Sequence, residues 1–268
     1  MPIYHNTTSR RYAVRCTESW GTCPFSADRA PLISSMIPSS GSDGAMVVLD
    51  WTTNKSYEFW QYNWRGGSPT TSWGGVVKDF VNGEGLASPS QNAVGSAISR
   101  LAGVVLMHEI QRGVINHALV FSSKFSAGPR PGQRDPAFRY PAKKSDGKYT
   151  GANGIEEGTR VQLDPAVNCD TLAEAGRGEK AVCRAMQKYG AYDIDVGGAP
   201  MALIFRNTSC GRAGSLSGSW HGVGPLCLYA HPLEQAARVE SMEQFPVIRF
   251  LLSHLAPAEP ARVQNKKS

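Results

Sequence analysis

Two apolar runs separated by a short polar break constrain this chain most. Residues 45–51 read AMVVLDW and residues 56–64 read SYEFWQYNW, with TTNK between them. β-Branched and aromatic residues suit a pleated, packed surface, and the polar break allows the chain to reverse. The spacing predicts an antiparallel hairpin with a four-residue loop, ending at Arg65-Gly66-Gly67.

The rest of the chain repeats this short-strand pattern. Strands are expected at 114–121, 160–163, 191–196 and 201–205. A helical turn is expected at 108–112, stopped by Gly113, and a helix at 179–189 with Gly190 just past its end. A last helix is expected at 245–255, before Pro257. Residues 24–45 read as loops, and the Gly-, Pro- and Lys-rich stretch 123–154 reads as one long loop of the kind that often carries function. Many short strands with turn residues between them predict a mainly β sandwich or barrel with a few short helices. The 268 residues fit a single domain spanning 1–268, with a loop-rich N-terminal segment, 1–40, and a helical extension over 240–268.

Composition excludes several classes. A hydrophobic fraction of 41% with 19% charged residues is not that of a disordered chain. No apolar run is long enough to cross a membrane. The net charge of +6 lacks a basic stripe, so nucleic acid is not an expected partner. The expected state is a monomer.

The cysteines point to an oxidising compartment. Cys16, Cys23, Cys169, Cys183, Cys210 and Cys227 form three sequence-local pairs. Spacing alone does not fix the connectivity, but Cys16–Cys23, Cys169–Cys183 and Cys210–Cys227 is the simplest pairing. There is no C-x-x-C and no tight Cys/His cluster, so neither a zinc site nor any other metal or cofactor is expected. Sequons at Asn6, Asn54 and Asn207 agree with a secreted protein. The first residues lack a signal peptide's apolar stretch. The chain then reads as a mature secreted protein with an added start Met, rather than as a cytosolic one.

Chemistry is suggested first by the aromatic strand. An unbroken strand over 56–64 turns Glu58, Trp60, Tyr62 and Trp64 to one face. A carboxylate in line with flat rings is what a sugar cleft needs, because rings stack on pyranose faces while polar edges bond hydroxyls. The competing reading is an aromatic core with Glu58 at its rim. Asp43, Asp146, Asp193 and Asp195 are further carboxylates, the last two on one strand face. A glycosidase needs two carboxyl groups across the scissile bond. Asp146-Gly147 is also an ordinary turn signal. His117 is either a packed core histidine or a base, with Tyr140 as its candidate acid in a β-elimination. No zincin helix, nucleophile elbow, P-loop or dinucleotide fingerprint is present.

Several pieces resemble a known family. They are Ser42-Asp43-Gly44 through Tyr57-Glu58-Phe59-Trp60, Gly113-Val114-Ile115-Asn116-His117-Ala118-Leu119, Tyr140-Pro141-Ala142 with Asp146-Gly147, Gly158-Thr159-Arg160, and Lys188-Tyr189-Gly190 with Asp195. In order and spacing over residues 40–200 they resemble a family of secreted bacterial β-jelly-roll proteins without an assigned activity. That family is distantly similar to jelly-roll glucanases and polysaccharide lyases. The resemblance implies a β-jelly-roll sandwich, concanavalin-like, with Asp43, Glu58, Trp60, His117, Asp146 and Asp195 at family-like positions. The glucanase strand pattern E-x-D-x-x-E and the lyase strand Gln-Ile/Val-His are both missing.

Three functions follow as expectations. The first is a glycoside hydrolase acting on a polysaccharide or oligosaccharide. In it Glu58 pairs with Asp146 or Asp195, and Asp43, Trp60, Tyr62 and Trp64 line the substrate. The second is a polysaccharide lyase using His117 and Tyr140 on a uronate-containing glycan. The third is a non-catalytic glycan-binding protein.

Overall fold

The structure, a computed structural model, describes residues 1–6, 8–172, 175–206 and the backbone of 255–257. It is mainly β, with several sheets and two helices, and no closed barrel among the described residues. The expected helix at 245–255 lies outside the described residues, apart from Leu255, and the described part of the expected helical extension over 240–268, Leu255–Pro257, is a strand and not a helix. So do Asn207 and the Cys210–Cys227 pair.

The predicted hairpin is present. β5 (Met46–Asp50) and β6 (Lys55–Trp60) pair antiparallel from Met46↔Phe59 to Asp50↔Lys55. They lie inside a four-stranded sheet in which β1 (Ile3–His5) runs parallel to β5, and β9 (Trp73–Lys78) runs antiparallel to β6. Every residue of β5 is buried, because both faces of that strand are covered. One face packs on Phe25, Leu32, Met36 and Tyr62. Two smaller sheets complete this half: β2 (Arg11–Tyr12) pairs with β4 (Ala30–Pro31), and β8 (Ser68–Thr71) lies between β3 (Arg15–Cys16) and β7 (Asn63–Arg65).

The second large sheet has five strands. It contains β10 (Leu119–Ser123), β11 (Arg160–Leu163), β12 (Ala191–Val196), β13 (Ala202–Leu203) and β14 (Leu255–Pro257), in the order β13-β10-β12-β11-β14. β10 and β12 run parallel, with α2 (Arg177–Lys188) in the connection between them. α2 packs Ala181, Val182, Cys183, Ala185 and Met186 onto Leu119, Phe121, Val161 and Leu163. Cys183 is bonded to Cys169, as its local spacing suggests, and Cys16 is bonded to Cys23. Among the described residues no helix is long and apolar enough to cross a membrane.

Three expected elements differ. The strand over 114–121 begins only at Leu119, which leaves His117 ahead of it. The strand over 201–205 shrinks to Ala202–Leu203. The strand over 56–64 ends at Trp60, because Gln61 takes a left-handed conformation with φ of 55°. Gln61 and Tyr62 then bond Asp43 and Gly44 through their backbones, at 2.7 and 3.0 Å. The alternation is lost at that residue.

A buried segment without regular strands joins the two sheets. Residues 92–100 are all buried. On one side the Arg100 amide donates to Glu58 Oε2 at 2.8 Å. On the other the Ser96 amide donates to the Ile194 carbonyl at 3.0 Å, and the Val105 amide to Ile204 at 2.9 Å. Buried backbone groups must find partners, and this segment finds them in both sheets. Val94 and Ile98 pack with Val120, Ala142 and Ile194 to seal the junction.

Candidate functional site

The segment that joins the sheets also gathers the carboxylates. Gly95 lies at the centre. Its amide donates to Asp195 Oδ1 at 2.8 Å. A Cβ built on Gly95 would meet Asp146 Oδ1 at 2.0 Å and Glu157 Oε1 at 3.0 Å. Only a residue without a side chain leaves room for three carboxyl groups at this point. Standard backbone dimensions then bound the separation of the nearest Asp146 and Asp195 oxygens at roughly 7 Å.

Each carboxyl arrives by a different route. Asp195 and Asp193 come from β12, where the pairing with β10 shifts between Phe121 and Ser122. Asp193 is fully buried and takes the Ser126 hydroxyl at 2.8 Å. Asp146 comes from the long loop. Its turn is wedged onto 126–127 by amide bonds from Lys148 and Tyr149 to the Ser126 carbonyl, at 3.0 and 2.9 Å. Gly147 is required there, since a Cβ would meet the Ala127 carbonyl oxygen at 2.0 Å. Asp146-Gly147 is therefore a turn whose tightness aims the carboxyl. Glu157 was not singled out from the sequence. Its neighbour Glu156 points outward to Arg130 and Arg139, at 3.0 and 2.9 Å, while Glu157 points inward with no exposed surface. The adjacent acidic pair, Glu156-Glu157, was the available signal, and alternation would put one of them inside.

Burial dominates the electrostatics. Glu157 is pushed up to about 10, first by burial and then by its contact with the Asp146 carboxyl and the nearby aspartates. Asp193 is raised to about 7 by burial, against the opposing Ser126 hydrogen bond. Asp195 is raised to about 7 by burial, against the attraction of Arg100, and is raised further by Asp146 and Asp43. The Asp195 side chain still keeps 21% of its surface open, so it sits in a recess that solvent reaches. Asp146 and Asp43 are exposed.

Glu58 has a different place from the one expected. It is fully buried beneath the 92–100 segment and is not at the rim of a cleft. Its carboxyl accepts from the Ser99 hydroxyl, from Ser56 Oγ at 3.1 Å and from the Arg100 amide. Burial raises its pKa, and these donors oppose the rise. Arg100, anchored through Nε to the Ala93 carbonyl at 3.0 Å, then extends Nη2 to 4.0 Å from Asp195 Oδ2. Glu58 thus fixes the backbone at Arg100, the point from which the guanidinium reaches the recess.

The expected aromatic face is also corrected. Beyond the break at Gln61, Tyr62 turns into the core against Phe59, and Trp64 packs edge-on against Tyr12. Trp60 alone stays beside the site, donating from Nε1 to Asp43 Oδ1 at 3.2 Å. It stacks on Trp20, which is 60% exposed and also leans on Trp73. Trp20 was missed in the sequence. The Cys16–Cys23 bond closes the loop that presents it.

His117 and Tyr140 make separate contacts among the described residues. His117 Nδ1 faces the Ala118 carbonyl at 2.9 Å, and Nε2 faces Glu109 Oε2 at 3.2 Å. Glu109 also caps α1 (Met107–Arg112) by accepting from the Leu106 amide. Tyr140 is 80% exposed, and no hydrogen bond joins it to His117 among the described residues.

Gly95→Ala tests the convergence directly. The added methyl overlaps the Asp146 carboxyl, the far end of an exposed side chain, so the side chain can swing away at small cost to folding. Glu157 Oε1, buried and 3.0 Å from the added methyl, gives less easily, so we expect a loss of ~1–3 kcal/mol in stability. Displacing a reacting group by ~1 Å can cost about 100-fold in rate. Urea unfolding alongside turnover would separate the two effects.

The chain matches no known protein family, no curated protein and no solved structure.

Proposed function

We propose that this is a secreted carbohydrate-active protein, a glycoside hydrolase that cleaves a polysaccharide between Asp146 and Asp195. The observation that carries the reading is the meeting of those two carboxyls on Gly95. Paired carboxyls in glycoside hydrolases stand about 5–9.5 Å apart. The upper bound of roughly 7 Å set by Gly95 keeps the pair within the outer limit of that window. Asp195, raised to about 7, still holds its proton in much of the population near neutral pH. It is the general acid that protonates the leaving oxygen. Asp146 is the nucleophile or base.

Beside these groups the stacked Trp20 and Trp60 offer flat apolar surface, and Asp43 offers a hydrogen-bond acceptor. That combination suits sugar rings, whose faces are apolar and whose edges carry hydroxyls. The two disulfides fit an oxidising extracellular setting, which supports secretion. The jelly-roll reading stays part of this proposal. Two large sheets joined by a buried segment support a sandwich, while the parallel pairs β1–β5 and β10–β12 depart from an all-antiparallel jelly roll.

A binding-only role is the second reading, favoured by the exposed Trp20 ring. The lyase reading gains no support of this kind, since no hydrogen bond joins His117 to Tyr140 among the described residues. A panel of plant, algal and microbial polysaccharides separates these outcomes. Hydrolysis releases reducing ends without unsaturated product. Binding without any product release would leave the lectin-like role. Unsaturated uronate product would overturn the assignment in favour of elimination.

A further inference from the structure

Several buried polar atoms around the recess lack a hydrogen-bond partner, Arg100 Nη2 and Asp193 Oδ1 among them, and Glu157 is the carboxyl with both oxygens in that state. It has no exposed surface, and neither of its oxygens has a hydrogen-bond donor. A buried carboxylate in that position costs far more than a buried acid, because nothing replaces the lost water. The groups around it make an ionised form worse. Asp146 arrives from the long loop, and Asp193 and Asp195 from β12. Arg100, from the segment joining the sheets, faces Asp195. No group of three or more His, Cys, Asp or Glu among the described residues is arranged to hold a metal ion. A bound proton neutralises such a carboxyl without any further ligand.

We propose that Asp146 and Glu157 hold one proton between them, so that Glu157 stays an uncharged acid and positions the Asp146 carboxylate over the Gly95 floor. Two carboxyls that share a site cannot both ionise cheaply, and a single proton turns their repulsion into a hydrogen bond. Glu157 is a positioning residue here, not a catalytic one. Its role in turnover rests on the hydrolase reading, whereas the shared proton does not.

The test reads protons through stability. Unfolding frees Glu157 to its ordinary value near 4.5, so unfolding releases its proton anywhere between that value and about 10. Urea unfolding of the wild type and of Glu157→Gln is measured at intervals from pH 5.5 to 9. The wild type should lose folded-to-unfolded ratio about tenfold more per pH unit than Glu157→Gln, the signature of one proton. Parallel plots would overturn the proposal, because Glu157 would then be ionised in the folded protein. Calcium chloride supplies a second arm at neutral pH. Stabilisation of the wild type but not of Glu157→Gln would also overturn it, with a cation in the proton's place. Should Glu157→Gln fail to fold, Asp146→Asn carries the same measurement. Removing the neighbouring charge lowers the proton affinity of Glu157, so the plot should flatten at a lower pH than that of the wild type. An unchanged plot would count against the pair. Where a substrate is in hand, Glu157→Gln keeps a neutral donor toward Asp146 and should hold kcat within tenfold. Glu157→Leu should lose kcat about 100-fold at unchanged KM. Failure of that last arm alone, with the proton count intact, would fall on the hydrolase reading.

Discussion

Asp195→Asn is expected to lower hydrolysis by about 10²–10⁴-fold, the range that a positioned acid or base contributes. The fold should survive, because the amide oxygen of Asn can still accept from the Gly95 amide. The pH profile is the sharper readout. In the wild type an acid with a pKa of about 7 is lost as the pH rises, so activity should fall on the alkaline side of neutrality. The residual rate of Asp195→Asn should lack that limb. A variant that keeps full activity, or keeps the alkaline limb, would remove Asp195 from the acid role. The same substitution should have the opposite effect on stability at high pH, since it deletes a carboxyl that resists ionisation. Activity and stability moving in opposite directions is the mark of a site held under electrostatic tension.

The second large effect is on the whole protein. Glu157, Asp193 and Asp195 all have folded values raised above their ordinary ones. The stabilisation linked to a raised group is complete below its unfolded value and is lost as the pH climbs to its folded value. Stability should therefore decline from about pH 4 through 7 for the two aspartates, and on toward 10 for Glu157. Asp50 works the other way. Its value is depressed, with burial opposed by hydrogen bonds from Arg11 and Thr53, so its stabilisation is lost in acid. The maximum should fall on the mildly acidic side. Each uncompensated proton is worth ~1.4 kcal/mol per pH unit. Taken over all three groups, a drop in Tm on the order of 20 °C or more from pH 5 to pH 9 is expected. Calorimetry across that interval checks it, and a maximum near pH 9 would contradict the buried carboxyl cluster.

Much of the scaffold was legible because its causes are local. The hairpin of β5 and β6 follows from two apolar runs and a polar break. β11 and β12 fall where their short apolar runs predict. Gly113 ends α1 in a left-handed conformation that glycine adopts without strain. The two described disulfides join neighbours in sequence, whose loops are short. Asp43, Asp146 and Asp195 were also picked out, since acidic residues beside turns and strands are visible as residue types.

What failed needed knowledge of a residue's surroundings. Alternation puts Glu58 and Trp60 on one face, but period alone does not say what covers that face. Residues 92–100 cover Glu58 and turn an expected catalytic carboxyl into an anchor for Arg100. One left-handed residue, Gln61, sends Tyr62 into the core and Trp64 to Tyr12. Trp20 joins Trp60 from 40 positions away, by way of the Cys16–Cys23 loop.

By itself the sequence determined a mainly β chain with local cross-links and a supply of carboxylates and aromatic rings, because strand period, turn chemistry and short-range cysteine spacing act over a few residues. Only the tertiary structure decided which carboxyls meet. That choice depends on Gly95 lacking a side chain and on contacts between residues about 50 to 100 positions apart. It also decided which of those carboxyls lose their water, and loss of water is what sets their protons.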